Sequence, residues 1–340
     1  MNSQNLFVKS LYIICFLLSS NVVNAQFRVV DSETLEPLIG VYVLDEHGRM
    51  LEMTEADGLV KTNKGKITIT MMAYEPLAVD ASLQKDDVKL QPKAFDLSEV
   101  VVPPNDYIKY SAVFRDVYRN NNKLVIYREG IVDFYQDCKS KKFTRRVRAC
   151  RQWTDKSLDR MLNFKVFLGP YPSTNLGKIN IVERDGVSSV SGDSTYFKAL
   201  NGDARAILNI SDSIHGVFRT VIDNLKSGTQ TSHPLIKWNT SICDWTYKNA
   251  NRSLVNVAYC STYHDFSYRS PINPQKPIGV TMACELYITG VTAMKKDDAK
   301  AEMKNKSQTR DFVLPDYLPQ NTFNLEEEIQ DMKQTKFDEY

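Results

Sequence analysis

Between residues 27 and 102 apolar positions come in short runs, one about every ten residues. Runs at 27–30, 39–44, 59–60, 66–71, 77–79, 88–90 and 100–102 are separated by clusters of Asp, Glu, Gly and Pro. Val41 and Val43 fall on one face of an extended chain, with Tyr42 and Leu44 on the other. That alternation, with acidic and glycine turns, predicts short strands packed as an all-β sandwich. The Asp57-Gly58 step needs a residue that tolerates positive φ, and Gly58 supplies it.

After residue 102 the pattern changes. Pro103 and Pro104 break the β run, so 103–106 reads as a linker between a first domain (26–102) and a second (107–340). The spacing of Ala112, Val113 and Val117 predicts a helix over 107–120. Residues 127–138 and 143–153 alternate about a Lys-rich turn and predict a hairpin. A second hairpin is expected about Asp185-Gly186, and a third pairs 240–247 with 253–263. Residues 197–208 and 211–225 read as helices. In the latter, Ile214, Phe218, Val221, Ile222 and Leu225 form an apolar stripe, with Ser211 as N-cap. Residues 280–294 form a long alternating strand, and the acidic tail after Asn321 is helix-prone. The expected fold class is therefore mainly β, a sandwich followed by a second, β-rich α+β domain.

The first domain also carries a family resemblance. Its residues are Val30-Asp31, Glu36 to Val43, Thr54 to Leu59, Ala73-Tyr74-Glu75 and Leu97 to Val102. In order and spacing they resemble the carboxypeptidase-regulatory-like domain of exported Bacteroidetes proteins. The family usually has Gly where Ala73 stands, and often Asp where Ser98 stands. The resemblance implies a transthyretin-like sandwich with no peptidase activity and no zinc ligands. Asp57 and Gly58 then act as turn formers. Proteins with this first domain include barrel receptors, but the residues after 102 lack a run of lipid-facing strands.

The N-terminus reads as a secretory leader. Lys9 precedes the apolar run 11–18, and Val23 and Ala25 sit at −3 and −1 of a cleavage site after residue 25. The run is shorter than the ~20 residues of a membrane-spanning helix. Cys15 lies within it rather than at its end, which disfavours lipidation. The expected location is periplasmic or outer-membrane-associated, with no transmembrane segment in the mature chain. Five Cys would remain: Cys138, Cys150, Cys243, Cys260 and Cys284. An odd number leaves at least one thiol unpaired or bridged between chains, and buried thiols and a disulfide both stay open.

Charge adds little at the level of the whole chain. Lys and Arg number 43 against 41 Asp and Glu, a net of +2 over 340 residues, so nucleic acid is not an expected partner. The exception is local. Lys139, Lys141, Lys142, Arg145, Arg146, Arg148 and Arg151 crowd one hairpin arm. On a strand Arg146 and Arg148 share a face, so they are the candidate anion-binding residues. The alternative is a solvated outer face.

Sequence signatures of chemistry do not occur. GxSxG, GxxxxGK[ST] and GxGxxG are absent, and Gly192-Asp193-Ser194 reads as a turn. His47, His215, His233 and His264 have no ligand spacing, and the cysteines form no CxxC pair, so no metal or cofactor is expected. A carboxylate pair for hydrolysis is set by three-dimensional separation and stays open. The expected role is a non-catalytic binding or interaction module with an envelope protein or lipid as partner. Such a module could carry an apolar ligand. A hydrolase with an unmarked carboxylate site and an accessory of outer-membrane machinery are the alternatives.

Overall fold

A computed structural model describes residues 27–63, 65–71, 73–92, 106–155, 187–191, 194–198, 204–212, 217–225, 236–248, 253–269, 274–307, 309, 311–314 and 325–335. The leader, the linker prolines, the closing motif at 97–102 and the turns at Asp185-Gly186 and Gly192-Asp193 lie outside these residues. The chain divides into two compact units, with the main division between Gln91 and Pro92.

The first unit has seven strands: β1 (Phe27–Asp31), β2 (Tyr42–Asp45), β3 (Met50–Met53), β4 (Leu59–Val60), β5 (Lys66–Thr70), β6 (Leu77–Asp80) and β7 (Val88–Leu90). They form two sheets, β4-β1-β7 and β3-β2-β5-β6. Val29, Val41, Val43, Ile67 and Ile69 are buried between short turns, as the alternation predicts. Gly58 has φ +66°, and a Cβ there would lie 2.7 Å from the Val29 carbonyl oxygen. Both the angle and the close approach therefore require glycine. Asp57 accepts from the Leu59 N–H at 3.1 Å and so fixes the turn. Ala73 also has positive φ, 70°, a conformation that glycine adopts without strain.

The second unit is organised by one antiparallel sheet of eleven strands. These are β8 (Tyr107–Asn120), β9 (Lys123–Asp137), β10 (Phe143–Thr154), β11 (Val187–Ser191), β12 (Ser194–Lys198), β13 (Ala204–Asp212), β14 (Val217–Leu225), β15 (Ile236–Tyr247), β16 (Val257–Tyr268), β17 (Ile278–Met294) and β18 (Lys333–Thr335). Their order is β11-β12-β13-β14-β15-β16-β17-β8-β9-β10-β18. A meander from β11 to β17 thus meets the β8–β10 meander along the β17·β8 seam, which pairs Val280 with Asn120 and Met294 with Tyr107. Two helices follow β17: α1 (Lys296–Lys304) and α2 (Glu326–Gln330).

Three expected helices are strands. Residues 107–120 form β8, and the segments expected to be helical at 197–208 and 211–225 contribute to β12, β13 and β14. In β14, Val217, Thr220, Val221 and Ile222 are β-branched, which favours a pleated chain over a helix. Ser211 pairs with Phe218 in the sheet instead of capping a helix. The hairpins at 127–153 and 240–263 and the long strand to Met294 form as expected.

The two faces of the sheet differ. Register and alternation place Phe114, Val132, Leu286, Cys260 and Trp245 on one face. This face is the apolar core, joined by Tyr110, Phe134 and Phe266. Cys150 and Cys260 are buried there as small apolar side chains, and burial pushes the Cys150 thiol up to about 12. The opposite face carries charge and tyrosine, and the C-terminal segment lies against it.

Candidate functional site

The opposite face holds a row of charges aligned by register. Arg151 stands opposite Glu129, Glu129 opposite Arg115, Arg115 opposite Glu285, Glu285 opposite Ser261, and Ser261 opposite Asp244. The row runs across six neighbouring strands, with charges alternating from Arg151 to Glu285. Such cross-strand opposites stabilise a sheet and fix its register. Arg151 Nη2 lies 2.8 Å from Glu129 Oε1, and Tyr127 donates its hydroxyl to Glu129 Oε2 at 2.9 Å. Tyr259 donates to Glu285 Oε1 at 3.4 Å. Burial works against the Arg115 charge, and Glu285, with smaller help from Tyr287, Tyr127 and Glu129, more than restores it. Burial, and then the Glu129 carboxylate, hold the Tyr127 hydroxyl well above its ordinary value.

Nearer the free end of β8, a second cluster joins the sheet to α1. Asp297 and Asp298 in the first turn suit the helix N-terminus, and Lys304 suits its last turn. Ala299 is the buried residue of this helix. Lys109 donates to Glu302 Oε2 at 2.8 Å, and Tyr135 donates to the same oxygen at 2.8 Å. Asp133 Oδ2 accepts from Arg148 Nε at 2.8 Å and lies 3.6 Å from Lys109 Nζ. Lys109, Asp133, Arg148 and Glu302 line a cleft of about 560 Å³ with Asn305 and Thr309 on its wall. Burial alone would raise the Glu302 carboxyl, but hydrogen bonds from Lys109 and Tyr135, together with the Lys109 and Arg148 charges, outweigh it and hold the carboxyl below the usual glutamate range. Two cations thus meet two carboxylates, and the cluster is internally neutral.

Arg146 and Arg148 lie in this region. Arg148 also donates to the carbonyls of Asn305 at 2.9 Å and Glu302 at 3.2 Å. Arg146 donates through Nε to the Met303 carbonyl, and through Nη1 to its own neighbour's carbonyl, that of Arg145, at 2.9 Å. The acceptors of both guanidiniums therefore belong to the chain: carbonyls at and just past the end of α1, the carbonyl before Arg146, Asp133 and the Tyr135 hydroxyl. Lys109, Asp133, Tyr135 and Glu302 escaped the sequence reading. Lys109 and Glu302 are 193 positions apart, and no local pattern joins them.

Among the described residues, no group of His, Cys, Asp or Glu could hold a metal ion, and no helix is long and apolar enough to cross a membrane. His264 and Asp265 are successive residues of β16, so their side chains leave opposite faces.

Glu302 gives a measurable pH effect. Its folded pKa is lowered, so its contribution is present above the unfolded glutamate value of ~4.3 and is lost as pH falls through the folded value. The side chain is 41% exposed, and solvent screening keeps the expected cost of Glu302→Gln under about 1 kcal/mol. Hydrogen exchange should show faster exchange in α1 for Glu302→Gln at neutral pH. Variant and parent should converge in acid.

No protein-family model matches the chain, and no curated protein does. A solved structure reported as "Lipid-protein interactions in lipovitellin" is similar over 56% of this chain at 8% identity, with a TM-score of 0.31. The matched region spans 26% of that structure's chain.

Proposed function

We propose that this chain is an exported, non-catalytic binding or interaction module of a cell envelope. The observation that carries the reading is the wide antiparallel sheet whose ionisable groups pair with one another. In the cleft, Glu302 is held ionised beside Lys109, which suits anchoring a helix better than proton transfer at neutral pH. The leader-like N-terminus supports export, and the resemblance of residues 27–102 to an accessory sandwich supports a role beside other envelope proteins. The apolar face of the sheet favours a lipid-like ligand as the narrower form of the proposal.

Fractionation of cells expressing the full chain tests the location. The expected product is periplasmic or membrane-associated and begins at Gln26. Cytosolic protein with its leader intact overturns export. Mass spectrometry of the purified protein should find a stoichiometric lipid; lipid-free protein retires the narrower form. Turnover of ester, peptide or glycoside substrates by purified protein would revive the hydrolase reading and remove this one.

A further inference from the structure

One end of the second unit gathers lysines from two segments far apart in the chain. The turn between β9 and β10 carries Lys139, Lys141 and Lys142, all exposed. At the same end β17 finishes with Met294 opposite Tyr107, and Tyr107 pairs with Asp137. α1 starts there. Asp106 ties the two segments together: its carbonyl accepts from the Cys138 N–H at 2.9 Å, and its Oδ2 accepts from the Lys296 N–H at 3.0 Å. Ala299 and Glu302 turn toward the sheet, whereas Lys296, Lys300 and Lys304 repeat every four residues as one exposed stripe. Lys295, the N-cap of α1, is exposed as well.

These charges are not balanced locally. Position 106 and residues 137–146 and 295–306 hold ten Lys and Arg against five Asp and Glu, a net of +5, where all 340 residues carry +2. Asp137 is spent on the Lys139 and Ser140 N–H groups, and Glu302 on Lys109 and Tyr135. Among the described residues, no carboxylate forms an ion pair with the ammoniums of the turn, the N-cap or the stripe. The guanidiniums of Arg146 and Arg148 are occupied by the chain's own carbonyls and Asp133. What faces outward is therefore a set of hydrated point charges on flexible stems, spread over a turn and a helix. Such charges suit a surface whose anions move laterally, and a helix with about four to eight Lys or Arg beside a membrane binds anionic lipid. Nucleic acid would also want a stacking platform, and among the described residues no aromatic side chain is exposed.

We propose that this end of the second unit docks on an anionic lipid surface, with the lysines of the β9–β10 turn and of α1 set against phosphate headgroups. The inference rests on the envelope reading above and adds the contact with the membrane. Its test uses purified protein, so its failure removes this surface and leaves the location to fractionation.

The experiment is flotation of the full-length chain with vesicles. One vesicle is phosphatidylcholine alone, and the other is an equal mixture of phosphatidylcholine and phosphatidylglycerol. The apolar N-terminus would bind both alike, so the contrast between them is the readout. The anionic vesicle should be bound at least about 10-fold more tightly, and added salt should remove the difference. Lys296→Gln, Lys300→Gln and Lys304→Gln combined should cut anionic binding about 10-fold, and so should Lys139→Gln, Lys141→Gln and Lys142→Gln. Arginine at the same six positions keeps the charge and should keep the binding. Lys66→Gln, Lys85→Gln and Lys89→Gln remove as much charge from exposed lysines of the first unit and should leave binding unchanged. If a glutamine set fails to fold by circular dichroism, its three single variants are read in its place. Equal binding to the two vesicles overturns the proposal, as does an equal loss in the first-unit control. Tighter binding of a duplex DNA oligonucleotide than of the anionic vesicle would assign this end to nucleic acid and overturn it too.

Discussion

Gly130→Ala is expected to cost the second unit at least about 3 kcal/mol, and at 37 °C to leave much of it unfolded. Gly130 lies on β9 between β8 and β10, opposite Phe114 on one side and Cys150 on the other. A Cβ would sit 2.2 Å from the Ala149 carbonyl oxygen and 2.6 Å from Phe114 Cε1. The oxygen belongs to the paired strand, so relief requires moving β10 itself. The Phe114 ring is fully buried in the apolar core and has little room to turn. Gly290→Ala is the control in the same sheet, because its nearest neighbour would be the Ser111 Cβ at 4.0 Å. That change should stay within about 0.5 kcal/mol of the parent. Urea denaturation of the two variants measures the contrast. A Gly130→Ala midpoint equal to that of Gly290→Ala would show that β9 and β10 are not packed this closely.

The same crowding explains what could be read from the chain and what could not. The 127–153 hairpin was legible because apolar and polar residues alternate along both arms and one face is core. β8 was not. Tyr110, Ala112, Phe114 and Tyr118 recur at period two, but Val113, Arg115, Val117 and Arg119 between them are also buried. With both faces buried, the apolar pattern no longer separates a strand from a helix, and a partial helical stripe through Ala112, Val113 and Val117 prevailed. In β14 the stripe was more regular still, and sheet pairing with β13 and β15 overrode it. The acidic tail is helix-prone by sequence, and α2 forms within it. The basic arm stood out by composition, yet what its arginines face did not. Arg148 meets Asp133 across one strand pair and the Glu302 carbonyl after a gap of 154 residues, a meeting that only the fold determines.

The charge row leads to the second large effect. Arg115→Met is expected to cost about 3–5 kcal/mol, the range for removing one partner of a buried charged pair. Methionine replaces the stem but not the cation, so packing is largely kept and the loss is electrostatic. The two glutamates that flank Arg115 should not suffer equally. Glu129 keeps Arg151 at 2.8 Å and the Tyr127 hydroxyl at 2.9 Å. Glu285 is 5% exposed and keeps tyrosine hydroxyls, the longer Tyr259 contact at 3.4 Å and Tyr287. It is also the residue that does most to sustain the Arg115 charge. The penalty should therefore sit on Glu285. Adding Glu285→Gln to Arg115→Met should recover more than half of the loss, whereas adding Glu129→Gln should recover little and leave Arg151 without its partner. Acid supplies the same relief without mutation. A buried carboxylate deprived of its cation carries its full penalty at neutral pH and sheds it below the ordinary glutamate value of ~4.3, so the deficit of Arg115→Met should shrink as pH falls. Urea titrations of the single and double variants at neutral and acidic pH read all three terms. Equal recovery by the two double variants would mean that the charge is shared along the row and not centred on β17.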